Sequence, residues 1–215
     1  MRSLTDKVML TGLTGGMGSG KSSVSLLLRR RFPVTVFNAD TIVHELLEPG
    51  RGCWQVIAGL DNLYVRGDKT IDKVRLRRDL FADDALRKNL NEGMHPVVRK
   101  SLLEKISQEA RLNGQKLFLV EVPLLFEANW LDMFSHIVVV YAEYGQCVER
   151  VMRRDHVSCA EAQKSISAQW PLLKKALLAN HVVDNSGNWL DTRRQALHLG
   201  NLLWQKKCDE MAKKS

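Results

Sequence analysis

Two stretches of the chain are apolar at nearly every position, two more alternate apolar residues with polar ones or glycine, and a fifth is a weaker run. Residues 7–14 (KVMLTGLT), 34–40 (VTVFNAD), 117–123 (LFLVEVP) and 136–142 (HIVVVYA) read as strands, the last two covered on both faces, and 181–185 (HVVDN) is the weaker fifth. Between them apolar residues recur at helical spacing. Residues 21–32 (KSSVSLLLRRRF) form the expected helix after the first strand. The segment 72–114 is expected to be mostly helical, with Val97, Val98, Leu102, Leu103 and Ile106 on one face, Pro96 near a helix start and Gly114 just past its end. A second helical block, 145–179, is rich in arginine and lysine, and 206–215 (KKCDEMAKKS) reads as a frayed, solvated helix end. Strands alternating with helices predict an α/β fold around a five-stranded parallel sheet.

The first strand runs into residues 15–22, GGMGSGKS, which match G-x-x-x-x-G-K-[ST] with Gly15, Gly20, Lys21 and Ser22 at the fixed places. Glycine costs entropy in regular structure, so a turn this rich in it must let something approach its backbone. That something is an anion. Amide groups of the turn and of the following helix start converge on it, Lys21 reaches β- and γ-phosphates, and the Ser22 hydroxyl serves as a Mg²⁺ ligand. Gly15, Gly16, Gly18, Ser19, Gly20, Lys21, Ser22 and Ser23 are therefore the candidate residues for ATP.

Three classes share such a loop: small-molecule kinases, GTPase switches and macromolecule-remodelling ATPases. A GTPase needs D-x-x-G soon after the loop and N-K-x-D later. The one D-x-x-G is DNSG at 184–187, near the far end, and N-K-x-D is absent. LFLVEVP ends in a single acid, Glu121, where a remodelling ATPase would normally carry an acidic pair. A small phosphoryl-transfer enzyme fits better. The net charge of +8 and pI near 9.5 suit a polyanionic partner, nucleic acid or a small phosphorylated molecule, without choosing. Cys53, Cys147, Cys159 and Cys208 lie far apart, which argues against a zinc site or a disulfide framework. No apolar run approaches a membrane span, and MRSLTDKVML lacks a signal-peptide core, so a cytoplasmic protein is expected.

A kinase also needs a group near the γ-phosphate to orient or deprotonate the acceptor hydroxyl. Asp40, at the end of the second apolar run, stands either for that base or for a helix N-cap, and position alone leaves the two even. Arg150 and Arg154 are four apart on one helical face, so both can point at one anion, or form a solvated face with Asp155.

LTGGMGSGKSSV, NAD before a helix, EPG (48–50), HP (95–96), VPLLFE (122–127), RVMRRD (150–155) and the spaced Q-W-P, K, A-N and V-V-D-N-S-G of 169–187 occur in the order found in bacterial dephospho-CoA kinases, which the chain resembles from about residue 7 to 190. The resemblance implies a P-loop NTPase core (about 1–50, 115–145 and 180–215), a helical acceptor-binding insertion (about 51–114) and a helical lid (about 145–179) in one enzyme. It implies transfer of the ATP γ-phosphate to the ribose 3′-hydroxyl of dephospho-CoA. Substrates with several phosphates account for the charge without nucleic acid or membrane, and a monomer is favoured over weak self-association. The remaining rivals are a P-loop kinase of another nucleotide-like alcohol and a nucleic-acid-linked ATPase.

By the same resemblance Asp40 matches the catalytic aspartate, Arg150 and Arg154 stand at the mouth of the lid, and Asn185 and Gly187 border the adenine. His95 lines the substrate side, and Pro123 and Glu127 shape the acceptor pocket. Two positions depart from the family pattern. Asn38 replaces the first acid of Asp-Ala-Asp, and Asn180, expected in the late helix, replaces an Asp.

Overall fold

Burial along the apolar runs follows the sequence pattern closely in this computed structural model, which describes residues 8–114 and 116–212. β1 (Met9–Gly15) is buried at every position and is followed by α1 (Lys21–Arg31) and β2 (Thr35–Asn38). β3 (Leu117–Glu121) is also fully buried, and β4 (His136–Tyr141) is buried at its four central residues. β5 (His181–Asp184) completes a sheet of order β2-β3-β1-β4-β5. β1 pairs in parallel with β3 and with β4, and β4 with β5, the register setting Leu13 opposite Glu121 and Gly15 opposite Val140. Lys7 of the first expected run lies outside the described residues.

The second expected strand is shorter than its apolar run. It stops at Asn38, and Ala39 and Asp40 already belong to α2 (Ala39–Leu46). Before β3 come α3 (Gly52–Leu60), α4 (Lys73–Ala82) and the long α5 (Asp84–Asn113), and beyond β4 comes α6 (Tyr144–Asp155). α7 (Cys159–Ser167), α8 (Leu172–Leu178) and α9 (Trp189–Ala212) complete the chain. Pro96 does not start a helix; it sits inside α5. Gly114 does end that helix, at φ 62°. α9 carries the expected tail helix as far as Ala212, and the last three residues lie outside the described ones.

The chain forms two units, Met1–Phe37 with Glu109–Ser215, and Asn38–Gln108. In the first, Leu13, Val24, Leu28, Leu119, Val138, Val140, Val183, Ala196, Leu199 and Leu203 make one core in which α1 and α9 pack together and against the sheet. In the second, Ile57, Tyr64, Ile71, Leu76 and Leu90 form a separate core. There α3 and α5 approach closely, because Gly52 faces Val97 and Gly93 faces Val56 where a Cβ would collide. This second unit begins earlier than the expected insertion and includes α2.

Candidate active site

The turn after β1 places its amides by two left-handed glycines, Gly18 at φ 77° and Gly20 at φ 93°. A side chain at Gly18 would strike the backbone of Cys147, and one at Gly20 the amide of Asn185. Gly20 is also the N-cap of α1. It offers no side-chain oxygen, and the first turn holds no acid. Most helices satisfy their first N–H groups with a capping oxygen. Here the helix start keeps its partial positive charge, the condition for holding an anion.

Lys21 Nζ donates to the carbonyls of Gly15 (2.9 Å) and Gly16 (3.0 Å), which holds the ammonium over the turn. Ser22 and Ser23 are exposed in the first turn of α1. Ser19 is fully buried, its amide donates to Gly16 O at 3.2 Å, and its hydroxyl has no hydrogen-bond partner among the described residues. An orphaned hydroxyl in a turn of converging amides fits a phosphate oxygen.

The outer side of the turn is braced by residues from far along the chain. Arg150 on α6 donates to Gly18 O (3.3 Å) and to Asn185 O (2.9 Å). Asn185, just past β5, donates from Nδ2 to Ser19 O at 2.9 Å. Its Oδ1 accepts from Thr192 Oγ1 on α9 at 3.0 Å. Gly187 lies in the turn between β5 and α9, where a Cβ would meet open space. Arg154 does not share Arg150's partners: its Nε and Nη2 pair with both oxygens of Asp155, at 2.7 and 2.8 Å. That pairing is the solvated-face arrangement, and it raises the Arg154 pKa while lowering that of Asp155, through the hydrogen bonds between them.

Pro123 and Glu127, expected at the acceptor pocket, have structural partners here. The Pro123 carbonyl accepts from Thr14 Oγ1 (3.2 Å) and Lys175 Nζ (3.4 Å). Glu127 Oε1 lies 2.7 Å from Lys175 Nζ and accepts from Trp170 N at 2.9 Å. Lys175 is completely buried, so α8 is fastened to the segment after β3 by an ion pair whose lysine is removed from water. Met17 N of the glycine turn also donates to Gln169 Oε1 at 3.1 Å. Sequence reasoning missed Lys175 and Thr192. The lysine of the spaced 169–187 motif was the available signal for the first; nothing local marks the second.

In the second unit, Asn38 is the N-cap of α2: its Oδ1 accepts from the amides of Asp40 (2.8 Å) and Thr41 (3.2 Å). Asp40 is thus not the cap, and its carboxylate stands exposed in the first turn. His95, half-buried on α5, has its pKa lowered by burial, which disfavours the charged imidazolium. Asn180 lies after α8 and not within a helix; its Oδ1 accepts from Ile137 N at 2.7 Å, a task an aspartate oxygen performs equally. Burial pushes the Cys53 thiol up to about 11 and raises that of Cys147, and all four cysteines are free. No group of three or more His, Cys, Asp or Glu side chains among the described residues could hold a metal on its own. No helix of the described residues is long and apolar enough to cross a membrane.

A parallel α/β sheet whose central strand ends in this glycine turn, with an uncapped helix behind it, is a P-loop NTPase fold. Within that class the chain belongs to the dephospho-CoA kinase family, whose model, described as dephospho-CoA kinase, matches residues 9–191. It is similar to a dephospho-CoA kinase domain-containing protein of Danio rerio, 38% identical over 200 residues that cover 91% of this chain and 86% of that one. It is also similar to the dephospho-CoA kinase of Oceanobacillus iheyensis, 36% identical over 197 residues covering 91% and 96%. Among solved structures, TT1252 from Thermus thermophilus superimposes with a TM-score of 0.77 at 32% identity, covering 89% of this chain and 95% of that one.

Proposed function

We propose that this chain transfers the γ-phosphoryl group of ATP to the ribose 3′-hydroxyl of dephospho-CoA, releasing ADP and coenzyme A. The observation that carries the reading is the uncapped, acid-free start of α1 behind a glycine turn, in a chain of the dephospho-CoA kinase family. Phosphoryl transfer passes through a loose transition state, so the protein's work is positioning and charge stabilisation. The turn amides, Lys21 and Ser19 hold the phosphates of ATP. Arg150 adds positive charge beside the turn, and Arg154 joins it only by giving up Asp155. The Asp40 carboxylate accepts the proton of the attacking hydroxyl as the O–P bond forms, and ADP leaves with the electrons of the broken bond.

Mg²⁺ fits this site as a companion of the triphosphate, with Ser22 Oγ, exposed in the first turn of α1, as the residue that would hold it. When bound it would neutralise negative charge on the triphosphate. Asn185 and Gly187 border the adenine, and His95, Pro123 and Glu127 stand on the acceptor side in this reading, Glu127 acting through Lys175. The chain works in the cytoplasm without a nucleic-acid or membrane partner.

Release of ADP from ATP, measured without acceptor, with dephospho-CoA, and with RNA or DNA, tests the proposal. Release that rises with dephospho-CoA alone is expected. A response only to nucleic acid removes the kinase reading, and a response only to other nucleotide-like alcohols moves it to a different acceptor.

A further inference from the structure

Asn185 is held at four points, and each has a direction. Its backbone N–H donates to Tyr141 O at 2.7 Å and its carbonyl accepts from Arg150 at 2.9 Å. Its side chain donates to Ser19 O and accepts from Thr192 Oγ1. A carbonyl oxygen such as Ser19 O can only accept, so the amide must present Nδ2 to it. The flipped amide would set Oδ1 against Ser19 O and leave the Thr192 hydroxyl facing an NH₂ group. Thr192, fully buried on α9, is 3.0 Å from Oδ1 and farther from its alternative acceptors, Asp184 O at 3.2 Å and Asn188 O at 3.4 Å. Ser19 O therefore sets which way the Asn185 amide faces, and the Thr192 hydroxyl tethers it there by donating to Oδ1.

The consequence reaches the phosphate turn through peptide planarity. In a trans peptide the C=O and the next N–H point in opposite directions, and none of the described peptides is cis. Holding Ser19 C=O on the outer side aims the Gly20 N–H away from Asn185. Gly20 itself needs φ 93° to close the turn, a conformation with no side chain to fix it.

We propose that Thr192, acting through Asn185, is a positioning residue that presets the Ser19–Gly20 peptide for the nucleotide phosphates. This rests on the nucleotide-binding part of the proposed function and gives Asn185 a task distinct from bordering the adenine. Thr192 touches no substrate. Its effect passes entirely through the Asn185 amide.

The test is titration of ADP, without acceptor, into the full chain and its variants. Thr192→Val weakens ADP binding about fivefold, the factor expected for one neutral hydrogen bond, and Thr192→Ser restores it. Asn185→Ala weakens it about tenfold, and the double variant is no weaker than Asn185→Ala alone, because the two residues act in series. The KM for dephospho-CoA stays at the wild-type value in each, which separates the effect from a general loss of structure. Additive losses, or unchanged ADP affinity in folded Thr192→Val, overturn the proposal; that nearly isosteric variant carries the test if Asn185→Ala fails to fold. A wild-type chain that binds ADP but leaves dephospho-CoA unphosphorylated removes the acceptor assignment, while the same titrations still decide this one.

Discussion

Of the two tasks the sequence left open at Asp40, the helix cap belongs to Asn38. Asn38 caps α2 with its side-chain oxygen, so the cap does not fall to Asp40, whose proposed role is that of the base. Asn38→Ala is expected to lower stability by about 1 kcal/mol, the usual worth of a cap, whereas Asn38→Asp keeps an accepting oxygen and holds the wild-type denaturation midpoint. An Asp-Ala-Asp sequence can therefore supply the same cap, and its asparagine counterpart here loses no structural function. Asp40→Asn should cut turnover by at least about a hundredfold, within the range for general acid–base groups, with ADP affinity within about twofold of wild type by titration. Lys21→Ala, in contrast, should weaken ADP binding itself. The glycine turn between β1 and α1 was legible because glycines at this fixed spacing permit the positive φ angles that a tight turn requires. The ends of the hydrogen bonds behind it were not, because Ser19 and Asn185 are 166 residues apart and no local pattern joins them.

Among the elements, α8 and the segment after β3 are joined by the pair of Lys175 and Glu127, the lysine fully buried and the glutamate side chain 19% exposed. Removing one partner leaves the other charge poorly solvated, so Lys175→Met should cost about 3 kcal/mol in denaturant unfolding. Lys175→Met combined with Glu127→Gln should recover part of that loss, since no uncompensated charge remains. The helical block 145–179 was readable as helices, and its capping box at Ser158 and Glu161 starts α7 as local sequence allows. Its fastening was not, because burial of a lysine follows from tertiary packing and not from helical periodicity. Pro96 taught the reverse lesson. Local preference puts proline at a helix start, yet α5 runs through it, with Val98, Leu102 and Ile106 buried beyond it. Long-range packing outweighs the one lost backbone hydrogen bond.

At the scale of the whole molecule, the strand starts opposite the phosphate turn carry a pH dependence. His136 and His181 open β4 and β5, with ring centroids 5.4 Å apart. Burial first, and then Lys206, lowers both pKa values below 6.5; for His136 the neighbouring His181 adds to this and Glu210 opposes it. The unfolded chain takes up these protons at higher pH than the folded one. Stability should therefore be full above about pH 7 and decline as pH falls through 6.5, and His181→Asn should flatten that decline in urea midpoints. The alternating α/β architecture was readable from five strand-like runs, the two nearly continuous ones because strands covered on both faces leave no polar alternation. The point at which the second unit begins was not, since α2 continues from β2 without a break in composition.

The central claim is that the phosphoryl group held at the glycine turn passes to a ribose hydroxyl and not to water. Phosphorus NMR of the purified chain with ATP and dephospho-CoA tests it most directly. The account predicts a 3′-phosphomonoester resonance growing in step with ADP, and none with Asp40→Asn. Inorganic phosphate growing in its place, or spectra that do not change, would contradict it.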